Sequence, residues 1–151
     1  MAAEVGQWSA TSGWRTLDQA RIDAFAEVTE DHQFIHVDAE AAAQTPFGGT
    51  IAHGFLTLSM LSALAVEQMI VLEGMSMGIN YGLEKVRFIQ PVRSGKQIRG
   101  HFALTQFRER RPGEYLFTYE VTVEIEGEEK PALVAEWLAL QMVPPQEEKN
   151  A

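Results

Sequence analysis

Three of the four histidines in the chain, His32, His36 and His53, fall between Asp31 and Gly54; the fourth is His101. They sit in or beside stretches without helical or strand periodicity, and titratable groups on loops next to a rigid element are a common arrangement for function. His32 and His36 are four apart, as two metal ligands on a helix would be. The glutamate of a His-Glu-x-x-His site is missing, however, and Phe34-Ile35 make a poor ligand surround, so no metal is expected. There is no cysteine nucleophile and no Gly-x-Ser-x-Gly turn, and Ser59 and Ser62 lie inside an apolar run. No glycine-rich phosphate loop appears, so no nucleotide cofactor is expected. Asp31 and His36 together offer a different chemistry. An acid and an imidazole converging on one water can take a proton from it and give one back, which suits addition of water across a double bond. Gly54 opens the apolar run, where free N–H groups and a helix dipole favour developing negative charge, such as that on a thioester oxygen. Spacing alone leaves plainer roles open: Asp31 capping a turn, His36 packing locally, Gly54 relieving crowding.

The elements that must position these residues are legible in outline. Thr16 and Gln19 read as a capping box for a helix over 17–28, with Ile22, Phe25 and Ala26 on one face. A short helix is expected over 38–44, and Pro46-Phe47-Gly48-Gly49 is a loop. Residues 54–72 read as a long helix, apolar nearly all round, which predicts burial on every side. Strands follow over 79–89, 97–107, 115–125 and 132–143. The clearest alternates Tyr115, Phe117, Tyr119, Val121, Val123 and Ile125 with more polar residues. Helices followed by an antiparallel sheet give an α+β domain in which the sheet wraps a buried helix. Such a sheet has open edges, which a second subunit commonly covers.

Composition narrows the function classes. The chain has 151 residues, 46% of them hydrophobic and 22% charged, with a net charge of −9. That length fits one domain, 1–151, with a tail from 144 onward expected to fray. The acidic balance argues against nucleic acid as a partner. Eight of the twelve basic residues lie between Lys85 and Arg111. They read either as a landing zone for a phosphorylated ligand or as a solvated sheet face. No run is apolar enough to span a membrane, and residues 1–10 do not look like a signal peptide, so the cytoplasm is the expected compartment.

The segment 29–38, followed by Ile51-Ala52-His53-Gly54-Phe55, resembles the MaoC-like dehydratases, also called (R)-specific enoyl-CoA hydratases. Their signature is Gly-Asp-x-Asn-Pro-x-His, then His-Gly-Met some twenty residues on. Asp-His-Gln-Phe-Ile-His-Val-Asp (31–38), Ile79-Asn80-Tyr81-Gly82 and Lys85-Val86-Arg87-Phe88 resemble the nodulation protein N subgroup more closely. The likeness covers about 14–140. It implies a hot-dog fold, an antiparallel sheet around a long central helix, and a homodimer or larger oligomer with an acyl tunnel near the subunit interface. It implies a cofactor-free hydratase of fatty-acid metabolism, converting trans-2-enoyl-CoA and water to (R)-3-hydroxyacyl-CoA. A hot-dog thioesterase and a non-catalytic acyl-thioester binding subunit are the alternatives. The catalytic residues it implies are Asp31, His36 and the Gly54 amide; Gln33, His53, Ser62, Asn80 and Arg87 are the implied substrate contacts. Ser62 can also hold the catalytic groups in place. Glu30 replaces the family's usual glycine before the aspartate, Gln33 its asparagine, Phe34 its proline and Phe55 its methionine.

Overall fold

The computed structural model describes residues 2–145. Most of the tail expected to fray, 146–151, lies outside them. After a 3-10 turn at Ala2–Glu4 the elements are β1 (Ser9–Thr11), β2 (Arg15–Thr16), α1 (Gln19–Thr29), α2 (Phe34–Val37), α3 (Ala39–Ala43), α4 (Gly54–Ser59), α5 (Leu61–Ala65), β3 (Met77–Phe88), β4 (Gln97–Arg111), β5 (Glu114–Ile125) and β6 (Leu133–Met142). The strands form one antiparallel sheet in the order β1-β4-β5-β6-β3, with β2 also on β4.

The inner face of the sheet follows the period-two pattern. Phe117, Tyr119, Val121, Val123 and Ile125 of β5 are all buried, as are Ile98, Phe102 and Leu104 of β4. They pack against Leu56, Leu61 and Leu64 of α4 and α5. Gly100 permits this approach. A Cβ there would stand 2.7 Å from the Phe102 ring and 3.4 Å from the Leu64 Cβ.

Three expectations need correction. The helix expected over 54–72 is interrupted at Met60 and ends at Ala65. Gln141 of β6 holds the last residues of the expected helix out of the helical ladder. Its amide donates to the Ile70 carbonyl and accepts from the Leu72 N–H at 2.9 Å. A side chain that satisfies backbone groups this way competes directly with the helical ladder. Second, the helix is not buried all round. Phe55 is 68% and Val66 72% exposed, so an apolar stripe faces outward. Third, the cap of α1 is Asp18, whose carboxylate accepts from the Arg21 N–H at 2.9 Å. Thr16 is held instead in β2, opposite Gln97 of β4.

β3 is an edge strand. Met77, Ile79, Tyr81, Leu83 and Phe88 on it are exposed, and so is the neighbouring Ile89. Together with Phe55 and Val66 they form an apolar face beside an edge of unmatched backbone donors and acceptors. That combination is usually managed by a partner.

Candidate active site

Asp31 and His36 lie on the short connection between α1 and α3. α1 ends at Glu30, which takes the left-handed conformation at φ 60°. The reversal it makes delivers Asp31 to the site. His36 sits on the single turn of α2. Gln19 holds this turn from beneath: its amide donates to the His36 carbonyl at 2.7 Å, and its oxygen accepts from the Thr50 hydroxyl at 2.6 Å.

The His36 ring is 6% exposed. Its Nδ1 lies 2.7 Å from the Ile51 carbonyl, so Nδ1 carries the proton and donates. Nε2 is left with a free lone pair. Burial lowers the His36 pKa below its ordinary 6.5; the bond to Ile51 and the Asp31 charge oppose this, and His53 reinforces it. The imidazole is therefore neutral near pH 7, as a general base needs to be.

His53, 2% exposed, stacks on His36 with centroids 3.8 Å apart and planes 23° from parallel. Phe25 of α1 packs against the same ring at 5.0 Å. His53 Nε2–H donates to the backbone carbonyl of Asp31 at 2.9 Å, and Nδ1 is buried without a partner. His53 thus supports both Asp31 and His36.

One ligand atom from each of Asp31, His36 and His53 fits within 4.8 Å of the others. The stacking argues against a shared metal. Imidazole lone pairs lie in the ring plane, and two nearly parallel planes 3.8 Å apart do not meet at a common bonding point. The cluster is better suited to hydrogen bonding and proton transfer.

Beside the cluster lies a cavity of about 320 Å³, lined by His36, Ile51, Gly54, Thr57, Phe88 and Val92 among others. A Cβ on Gly54 would reach within 3.1 Å of the Phe88 ring, so glycine keeps this space open. Further along the cleft between α4–α5 and β3 is a smaller hollow between Leu58, Ser62, Asn80 and Trp137. A second cavity of about 330 Å³ follows, mostly apolar, reaching Met69, Ile70, Tyr119 and Leu140.

The structure brings Asp31, His36, His53 and Gly54 together, with the Gln33 backbone beside Asp31, and leaves Ser62, Asn80 and Arg87 apart. Gln33 is exposed, and its backbone N–H donates to the Asp31 carboxylate at 3.3 Å. Ser62 is exposed in the middle of the cleft, roughly 12 Å along the helix from Gly54. It is not placed to hold the catalytic groups of its own chain. Asn80 accepts from Trp137 Nε1 at 2.6 Å. Arg87 neighbours Phe88 on a strand, so the two point to opposite faces. Phe88 lines the cavity beside His36, and Arg87 lines a hollow with Lys85, Glu120 and Glu136. Part of the basic stretch is committed elsewhere. Arg99 pairs with Glu124 at 2.7 Å and lies over Trp14, and Lys96 pairs with Glu128 at 3.6 Å.

Sequence reasoning missed Gln19, Thr50, Phe25 and Thr57. Only Thr57 had a usable signal: it stands three residues after Gly54 and four after His53, on their shared helical face.

A sheet curled over a central helix is the architecture of the hot-dog class, which similar solved structures share. Within that class the chain belongs to the MaoC-like dehydratase family, whose MaoC like domain model matches residues 1–125. It is 52% identical to nodulation protein N of Rhizobium meliloti, over 97% of this chain and 92% of that one. It is 46% identical to 3-hydroxyacyl-thioester dehydratase Z of Mycobacterium tuberculosis, over 90% and 89%. Among solved structures, the (R)-hydratase from A. caviae involved in PHA biosynthesis superposes with a TM-score of 0.74 at 28% identity, covering 93% of this chain and 97% of that one. Among the described residues, no helix is long and apolar enough to cross a membrane.

Proposed function

We propose that the protein reversibly adds water to a trans-2-enoyl-CoA, giving the (R)-3-hydroxyacyl-CoA. The observation that carries this reading is the neutral, Nδ1-anchored His36 beside the Asp31 carboxylate, at the cavity that Gly54 keeps open. Asp31 and His36 hold one water. His36 Nε2 takes its proton as the oxygen attacks C3, and the Asp31 carboxylate stabilises the imidazolium that forms. The π electrons of C2=C3 move onto the thioester oxygen, which the Gly54 N–H receives. The enolate then collapses and takes the proton from His36 at C2, on the face that received the hydroxyl. No redox or metal cofactor enters this sequence. With α4 only six residues long, the Gly54 amide itself does this work rather than a long helix dipole.

The cleft along α4–α5 supports an acyl chain extending away from the pair. The apolar face around β3 supports a homodimer that covers it. Arg93 lies in a hollow adjoining the catalytic cavity through Ile51, Gln90 and Pro91. Among the described residues it forms no ion pair, which makes it the cation best placed for a CoA phosphate. An Arg93→Ala variant is expected to raise KM a few-fold at low salt and less at high salt. An unchanged KM would remove Arg93 from the reading.

The test of the activity is absorbance at the enoyl-thioester band with crotonyl-CoA and octenoyl-CoA, alongside a free-thiol assay and chiral analysis of the product. Loss of the band without thiol release, with an (R) product, is the expected result. Thiol release would replace this reading with thioester hydrolysis. No reaction alongside measurable acyl-CoA binding would leave a binding subunit.

A further inference from the structure

We propose that the Thr57 hydroxyl is a second hydrogen-bond donor to the substrate's thioester oxygen, acting beside the Gly54 amide. The proposal rests on the hydratase reading above. Thr57 is 3% exposed and lines the same cavity as His36 and Gly54. Among the described residues its hydroxyl has no hydrogen-bond partner, and it is not one of the polar atoms sealed away from the cavity.

A helical threonine commonly satisfies its hydroxyl on the carbonyl four residues back. Ser59, two residues on, does so, donating to the Phe55 carbonyl at 2.7 Å. For Thr57 the corresponding carbonyl is that of His53, and it already accepts from two amides, Leu56 N–H at 3.0 Å and Thr57 N–H at 3.1 Å. Both of its lone pairs are engaged. The hydroxyl proton is thereby left for whatever occupies the cavity.

Direction places the hydroxyl further. Helical side chains lean toward the N-terminus and cover the turn before their own Cα. Thr57 therefore lies over Gly54, and glycine presents no side chain to block it. Gly54, as the first residue of α4, has an N–H outside the helix's own bonding. An acyl oxygen accepting from that N–H has the Thr57 hydroxyl on its flank. When water adds at C3, the C2=C3 electron pair passes to this oxygen and the water's proton passes to His36. Two donors then meet the charge until C2 takes the proton back.

The experiment compares the wild type with Thr57→Val, which keeps the shape, and Thr57→Ser, which keeps the hydroxyl. The first readout is the ultraviolet enolate band of bound acetoacetyl-CoA, which reports stabilisation of an enolate oxygen without any hydration. The wild type is expected to raise the enolate fraction at fixed pH. T57V is expected to lower the apparent enolisation constant about tenfold or more, and T57S to stay near the wild type. The second readout is kcat for enoyl-CoA hydration, which is expected to fall in T57V by a similar factor with KM little changed. An enolate band unaltered in T57V, lost equally in T57S, or absent from the wild type would overturn the proposal. If the band behaves as expected while no enoyl-CoA is hydrated, the proposal stands and the hydratase reading fails. Circular dichroism confirms that each variant is folded before it is compared.

Discussion

The two ends of the cleft between α4–α5 and β3 are built on opposite plans. At the His36 end, polar side chains are anchored by one atom and left open at another. His36 is fixed through Nδ1 and free at Nε2, and Asp31 is positioned through its backbone carbonyl while its carboxylate stays accessible. At the Ile70 end, polar groups serve as ties. Gln141 engages the backbone of Ile70 and Leu72, and Asn80 engages Trp137. Tyr119 is the exception. Burial pushes its hydroxyl up and the nearby Ile70 backbone opposes this, so it stays protonated, without a hydrogen bond of good geometry among the described residues. Atoms left free beside a cavity can do chemistry; atoms used up in ties shape a volume. The comparison predicts that substitutions at the first end change rate and those at the second change stability or chain preference.

The largest expected effect is at the first end. Asp31→Asn and His36→Gln are each expected to lower kcat by ~10²–10⁴ while keeping the fold and acyl-CoA binding. Steady-state kinetics with a circular dichroism control checks this, and near-normal turnover in either variant would break the comparison. The pH profile sharpens it. His36 has a folded pKa below its unfolded 6.5, so the unfolded chain binds more protons between those two values. Its contribution to stability is fully present above pH 6.5 and declines as pH falls below 6.5. kcat/KM should fall on the same acid side. His32 runs the other way: paired with Glu27, its pKa is raised, and any contribution is lost as pH rises through that raised value. His32 is exposed, so its effect is small. Urea denaturation of wild type and H36Q across pH 5–8 separates the two, with the acid-side slope reduced only in H36Q.

Next in size is Gly54→Ala. The new methyl would stand 3.1 Å from Phe88, whose half-exposed ring can swing aside. Stability is expected to change by about 0.5 kcal/mol or less. kcat/KM is expected to fall by roughly 10- to 100-fold, because the acyl oxygen is displaced. Adding Phe88→Ala should recover part of the loss. A G54A variant that unfolds early but turns over normally when folded would show that glycine serves packing rather than reaction.

The sequence showed the first end more clearly than the second. Asp31, His36 and Gly54 are local in sequence and specific in type, so spacing together with the family likeness was enough to bring them together. β5 was legible because its inner face alternates strictly. The non-helical path of 70–72 was not legible, because it depends on Gln141, about seventy residues away, reaching back to Ile70 and Leu72. The apolar run past Ala65 therefore read as more helix. The likeness implies Ser62 and Arg87 as site residues; strand alternation turns Arg87 away, and helical rise carries Ser62 down the cleft to the hollow beside Asn80, away from the Asp31–His36 pair.

That long-range tie gives the far end its own prediction. Gln141→Leu removes two hydrogen bonds from a buried residue and leaves the Ile70 and Leu72 backbone groups to find other partners. A loss of ~1–3 kcal/mol in urea denaturation is expected. Crotonyl-CoA turnover should stay within about twofold, since the short chain stops before the second cavity. A large fall in crotonyl-CoA kcat would show that the two ends act as one unit.

The smallest expected effect falls on the junction that presents Asp31. Glu30 is the non-glycine residue with positive φ among the described residues, and it caps α1. The left-handed conformation costs an L-residue ~1–2 kcal/mol. Glycine avoids that, although the unfolded chain becomes freer by an offsetting ~0.5–1 kcal/mol. Glu30→Gly is therefore expected to stabilise the fold by roughly 0.5–1 kcal/mol, read as a shifted urea midpoint at constant slope. Turnover should be unchanged if the αL turn alone aims Asp31, because glycine adopts the same turn without strain. A more stable variant with reduced kcat would instead mean that the stiffness of Glu30 is part of how Asp31 is held, and that the first end depends on strain as well as on anchoring.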